Sequence, residues 1–124
     1  MTYLAVAFGG ALGAMTRLFV YNVFQRTGSS AFPWATLTVN VLGSFLIGIA
    51  FILITERMAL GPYWSGVVTI GFLGAFTTFS TFSMDVIGLL EQGSLSQAFL
   101  YVLSSVLVCI IAAWFGLSLA KLLF

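Results

Sequence analysis

The chain reads as an all-α membrane protein: four transmembrane helices, both ends on one side of the bilayer, and a third helix that is interrupted. Three observations predict this. The 124 residues are 61% hydrophobic and only 6% charged. Four apolar segments are separated by short polar turns, and the third contains a run of glycines and hydroxyls where a plain span would be apolar. A soluble domain carries about a quarter charged residues and buries only about two-thirds of its unfolded surface. A chain this apolar therefore needs the bilayer as its solvent. The net charge of +1, with no histidine and no basic run, excludes nucleic-acid binding on electrostatic grounds. An enzyme lacks its parts here: there is no histidine, no nucleophile beside a base and no carboxylate pair.

About 20 mostly apolar residues cross the hydrocarbon core as a helix. The first span is expected over about 3–24; it has no basic leader and is read as a retained span, not a cleaved signal peptide. It ends in the polar turn Gln25-Arg26-Thr27-Gly28-Ser29-Ser30. The second covers about 33–54, opening at Pro33 and stopping at Thr55-Glu56-Arg57 before Gly61-Pro62. The third covers about 63–90 and closes at Glu91-Gln92-Gly93-Ser94; the fourth covers about 95–123. All four belong to one transmembrane domain, residues 1–124. Trp34, Tyr63, Trp64 and Trp114 fall near span ends, where interfacial aromatics collect.

Between Gly71 and Ser83 the third span reads Gly-Phe-Leu-Gly-Ala-Phe-Thr-Thr-Phe-Ser-Thr-Phe-Ser. Glycine loosens a helix, and hydroxyls satisfy backbone groups freed by a break, which lipid tolerates only inside protein or beside water. A break near Gly74 to Thr78 is expected, facing the interior. Charge does not orient the chain. Arg57 and Lys121 lie on the side of the termini, against Arg26 and a snorkelling Arg17 on the other. Two readings of this tie stand: a single charge, lipid or partner breaks it, or copies insert both ways and pair antiparallel. A four-span chain has little interior of its own, so either reading favours an oligomer.

Polar residues recur at four-residue steps. Gly9, Gly13 and Arg17 mark the first span; the glycines suit close helix approach. Arg17 is a costly charge, serving as an anchor or as a vestibule charge. Thr36, Asn40, Ser44 and Gly48 form a stripe on the second span, and Tyr101, Ser105 and Cys109 one on the fourth. The second span's stripe is explained by interhelical hydrogen bonds and the fourth's by serines that bond their own helix backbone, or the stripes together line a hydrophilic path. The third span offers Phe76, Phe79 and Phe82 interleaved with Thr78, Ser80 and Thr81. These rings form a packing row, or line a path with electropositive edges that attract an anion.

The stretch from Gly71 to Ser83 resembles the signature of the Fluc family of bacterial fluoride channels, also called CrcB. Gly-Gly-Ala-Leu-Gly-Ala-Met-Thr-Arg in the first span, Thr36-Leu37-Thr38-Val39-Asn40 in the second and Leu89-Leu90-Glu91-Gln92-Gly93 at the third loop are similar to it too. The resemblance implies an antiparallel dual-topology homodimer in the bacterial cytoplasmic (inner) membrane, with two pores that export fluoride passively. It implies a structural sodium ion at the dimer interface, held by the backbone carbonyls of Gly74 and Thr77. It also implies pore roles for Asn40, Phe79, Phe82, Ser80, Thr81, Tyr101 and Ser105. The family's glutamate after the signature is Asp85 here, one methylene shorter, and its often paired glycines are Gly74-Ala75. Cys109 stands where a hydroxyl can occur and receives no role.

Two other functions compete with a fluoride channel. A small four-span proton-coupled multidrug exporter needs a glutamate in its first span, which this chain lacks. A non-transporting membrane assembly subunit is opposed only by the resemblance.

Overall fold

The computed structural model describes residues 2–28, 31–57 and 61–124. Ser29 and Ser30 of the first predicted turn, and the side chain of Arg57 in the charge tie, lie outside the described residues. The described chain is helical throughout its ordered elements, and four helical stretches are long and apolar enough to cross a membrane: Thr2–Arg26, Trp34–Ile54, Pro62–Glu91 and Leu95–Leu123.

Helix α1 is Thr2–Arg26 and α2 is Trp34–Phe51, continued by a π-type segment over Ile52–Arg57. The third crossing comprises α3, Pro62–Ser65, a π-type segment Gly66–Leu73, and α4, Gly74–Phe76. After the break come α5, Phe79–Glu91, and finally α6, Leu95–Leu123. Pro62 sits in the first turn of α3, where its missing N–H costs nothing. The end of α5 is set by Gly93, whose φ of 73° is open to glycine at no steric cost. There Ser94 N–H donates to the Leu89 carbonyl at 2.9 Å and Gly93 N–H to Leu90 at 2.9 Å, a Schellman closure that turns the chain directly into α6. The π-type segments are a departure from the plain helices the hydropathy implies; nothing in local composition announces wider i→i+5 bonding.

Two helix pairs make the bundle. In the first, α1 lies against the Gly66–Leu73 segment, and the contact is backbone on backbone. A Cβ at Gly9 would strike the Val67 carbonyl, and one at Gly13 the Phe72 carbonyl. In the second pair α2 lies along α6: a Cβ at Gly48 would strike the Ala113 carbonyl, and one at Gly116 the Phe45 carbonyl. Lipid offers helices no hydrophobic reason to associate, so dispersion at such close approaches carries the assembly. The glycine spacing of the first span is thus a packing device, as its suitability for close helix approach implies.

The interior is small. Tyr101, Ile52, Val39 and Thr36 are its largest fully buried side chains, while Phe99, Leu103, Leu107, Ile111 and Trp114 of α6 point outward. Such an exterior is ordinary in hydrocarbon and would be untenable in water.

Candidate functional site

The helix of the third crossing stops for two residues. Thr77 (φ −79°, ψ 158°) and Thr78 (φ −153°, ψ 117°) are extended. This lies within the predicted break. The side chain that holds it comes from α2. Asn40 Oδ1 accepts from Thr78 N–H at 2.8 Å, and Asn40 Nδ2 donates to the Thr78 carbonyl at 3.0 Å. A primary amide carries one acceptor and donors on one plane, so it pairs with the N–H and carbonyl of a single residue as a strand neighbour would. Thr78 also caps α5: its Oγ1 accepts from Thr81 N–H at 3.2 Å and donates to Thr81 Oγ1 at 3.0 Å, with Ser80 Oγ at 3.4 Å. Upstream, Thr77 N–H and Oγ1 both donate to the Leu73 carbonyl, at 3.1 and 3.0 Å.

These exchanges have a second consequence. In an unbroken helix Thr78 N–H would serve the Gly74 carbonyl, and Thr81 N–H the Thr77 carbonyl. Asn40 and the Thr78 hydroxyl take those donors instead. Gly74 is exposed, with no neighbour nearer to a would-be Cβ than the Thr69 carbonyl at 3.7 Å.

Beside the break, between α2 and α6, lies a cavity of about 360 Å³. Asn40, Ser44, Thr77 and Thr78 line it with Phe79, Phe82, Ser105 and Cys109, and the wall is completed by Gly43, Ile47, Val106 and Ile110. None of these lining residues is charged. Asn40 spends only one Nδ2 hydrogen on Thr78, which leaves a second amide donor. Ser105 is 7% exposed, and its Oγ has no hydrogen-bond partner. A helical serine ordinarily falls back on the carbonyl one turn earlier. Here that acceptor, Tyr101, already takes the Ser104 hydroxyl at 3.2 Å. Phe82 is 8% exposed and Phe79 is 78% exposed, with ring centroids 5.4 Å apart.

Phe82 also separates the cavity from a second polar group. Its ring lies 5.2 Å from that of Tyr101, which is wholly buried and donates its hydroxyl to Asp85 Oδ2 at 3.1 Å. The Tyr21 and Thr36 hydroxyls, 2.7 Å apart, lie on the same side of the bundle.

Of the residues singled out in the sequence, Asn40, Phe79, Phe82 and Ser105 meet at the cavity, and Thr77 borders it. Ser80 and Thr81 belong to the hydroxyl cluster that caps α5, and Tyr101 sits behind Phe82. Gly74 lies at the uncovered side of the break, and Arg17 is half-buried on α1, outside the cavity lining. Phe76 parts from the other two rings: it stays with the first half of the crossing and stacks on Phe72, centroids 5.9 Å apart and 10° between planes. Sequence reasoning passed over Thr78 as the residue on which the break turns. Its signal was present, since a threonine directly before a helical stretch is a preferred N-cap. Ser44 and Cys109 stood in the polar stripes without a role.

A bundle of this kind defines a small four-span integral membrane protein with an uncharged, donor-bearing cavity beside a broken helix. The chain belongs to the CrcB-like protein, Camphor Resistance (CrcB) family, whose model matches residues 4–117. It is 48% identical over 118 residues to the fluoride-specific ion channel FluC of Magnetococcus marinus, covering 95% of this chain and 96% of that one. It is 42% identical over 118 residues to FluC of Hahella chejuensis, covering 95% and 93%. It is 50% identical over 110 residues to FluC of Saccharophagus degradans, covering 89% and 82%.

Proposed function

We propose that the protein is a fluoride-selective channel of the bacterial cytoplasmic membrane, letting fluoride leave the cell passively and catalysing no reaction. The observation that carries this reading is the Ser105 hydroxyl, buried without a partner in the wall of an uncharged cavity that also holds the second Asn40 amide hydrogen. Leaving a buried hydroxyl unpaired costs ~1–3 kcal/mol, so the group is expected to meet something that enters. Fluoride is small and strongly hydrated, and a path for it must replace water with hydrogen-bond donors. Asn40 Nδ2 and Ser105 Oγ supply them, and the edges of Phe79 and Phe82 add a weak positive potential. A fixed positive charge would hold the ion; neutral donors let it leave. The relatives' description as fluoride-specific ion channels agrees with this chemistry.

The working unit in this proposal is an antiparallel homodimer with two pores. Broken backbone at membrane depth must be covered by protein or water, yet Gly74, Phe79 and Ser80 are exposed in the single chain. A second copy packed on the break covers them. A two-fold axis there would bring together the Gly74 and Thr77 carbonyls of both copies. Neutral oxygens relieved of their helical donors suit a hard monovalent cation, and sodium is the ion proposed, as a structural tie.

Fluoride efflux from liposomes holding the purified protein tests the function. Sealed, fluoride-tight liposomes would sink it. Substituting Phe79→Ile or Phe82→Ile should slow efflux while the dimer persists on size exclusion; unchanged rates in both would remove the rings from the mechanism. Exchanging sodium for N-methylglucamine should lower the melting temperature of the dimer, and an unaltered melt would remove the ion.

A further inference from the structure

A second cavity, of about 250 Å³, opens where α1 gives way to α2. It joins the end of one crossing, Thr2–Arg26, to the start of the next, Trp34–Ile54, and so stands at the level where hydrocarbon meets headgroups. Four of its lining residues are aromatic: Tyr21 and Phe24 of α1, Phe32 of the turn and Trp34 of α2. Gln25 and Gly28 supply a polar edge, and no lining residue is charged. We propose that this cavity binds the ammonium group of a zwitterionic phospholipid, phosphatidylethanolamine, with the lipid phosphate paired to Arg26. The site belongs to the turn and not to the anion path, so it stands whatever ion crosses the membrane.

The ligand class follows from the walls. An aromatic face is electronegative, and several rings around one space hold an organic cation as a cage. The Phe32 and Trp34 rings lie 4.6 Å apart at 47°, so they meet as a corner and not as a stack. The Tyr21 hydroxyl is engaged by Thr36 Oγ1 at 2.7 Å, which leaves its ring as what it offers the cavity. The end of α1 adds the negative pole of a 25-residue helix. An anion placed among these rings would meet unfavourable potential from every side. The exposed Gln25 amide has a carbonyl oxygen for one N–H of a primary ammonium. Arg26, exposed in the same last turn of α1, is a cation for the phosphate that follows the ammonium along the headgroup. The cage and the arginine thus match the two charges of a zwitterion in their covalent order. A lipid also carries its ammonium to this depth without leaving the bilayer, whereas a free amine gains nothing from the adjoining hydrocarbon.

Aromatic side chains gather at span ends without any ligand. Tyr63 and Trp64 are such a pair: both are half exposed on α3, with rings at 87°, and they line neither this cavity nor the one beside the break. They separate a built site from a general aromatic belt.

The experiment uses delipidated full-length protein in detergent, titrated with phosphatidylethanolamine or phosphatidylglycerol of identical acyl chains and read by native mass spectrometry and thermal melting. Phosphatidylethanolamine should form its adduct at ~fivefold lower concentration or less, and should raise the melting temperature because a ligand of the native state stabilises it. Trp34→Leu and Phe24→Leu should each weaken that adduct about two- to fivefold, the range for one ring at an exposed site, with phosphatidylglycerol adducts unchanged. Trp64→Leu should alter neither lipid's adducts. Equal affinity for the two lipids, or a preference for phosphatidylglycerol, would overturn the proposal, because the charge of Arg26 would then account for binding by itself. An equal loss in Trp64→Leu would overturn it too, by reducing the cage to ordinary interfacial aromatics. Phosphoethanolamine without acyl chains giving the same melting shift at the same concentration would overturn the lipid as the source. The comparison of the two lipids on the unaltered protein decides the matter even where a variant fails to fold.

Discussion

Replacing Asn40 with alanine tests the central geometry most directly. The side chain makes two hydrogen bonds to the backbone of one residue, at 2.8 and 3.0 Å, across 38 residues of sequence. Interhelical hydrogen bonds in membranes are worth ~0.6 kcal/mol on average and up to ~1.7. Two of them lost together therefore amount to roughly 1–3 kcal/mol. The upper half of that range is expected, because Thr78 is 7% exposed and its freed N–H and carbonyl cannot reach bulk water. Asn40→Ala should lower the unfolding free energy of the detergent-solubilised protein by that amount and slow fluoride efflux. Asn40→Asp separates the two effects. It keeps the acceptor for Thr78 N–H but places a negative charge in the cavity, so efflux should fall further than stability does. The refuting result is a stability gain in Asn40→Ala. That would mean Thr78 N–H returns to the Gly74 carbonyl, the helix heals, and the break is imposed by Asn40 instead of being favoured by its own threonines.

Three further perturbations probe the same packing and hydrogen bonds. Ser105→Ala should stabilise the fold by about 1 kcal/mol, by removing an unpaired buried hydroxyl, while slowing efflux; a loss of both stability and rate would show that the hydroxyl has a partner. Gly48→Ala should cost about 1–3 kcal/mol, since its methyl meets the Ala113 carbonyl, whereas Gly88→Ala, with open space at its Cβ, should gain ~0.5–1 kcal/mol. Equal thermal shifts in the two would contradict the close α2–α6 approach. Tyr101→Phe leaves Asp85 without its 3.1 Å donor and should destabilise by about 1.5–3 kcal/mol, the usual range for a hydrogen bond to a charged group; a melting temperature equal to that of the unaltered protein would show Asp85 finding water instead.

The closing pair of helices shows what short-range signals can and cannot announce. Glu91-Gln92-Gly93-Ser94 was legible as a helix end because the requirement for a left-handed residue is local, and Gly93 meets it. The π-type segment at Gly66–Leu73 was not legible, because what accompanies it is the approach of Gly9 and Gly13 from another helix. The candidate site divides the same way. Phe79, Phe82, Asn40 and Ser105 stood out by type and spacing, but so did Tyr101 and Ser80, which lie behind the cavity wall and in the cap of α5. Spacing assigns a residue to a face of its own helix. It does not say which neighbour that face meets.

By itself the sequence determined the four crossings, their short turns and the place where the third would fail. Those follow from partition of each residue between water and hydrocarbon and from backbone preferences, both of which act locally. Tertiary structure decided which groups the break would use. Thr78 gave its N–H to Asn40 and its hydroxyl to Thr81, while Ser105 was left with nothing, because hydrogen bonds at membrane depth are settled by which helix faces lie in contact.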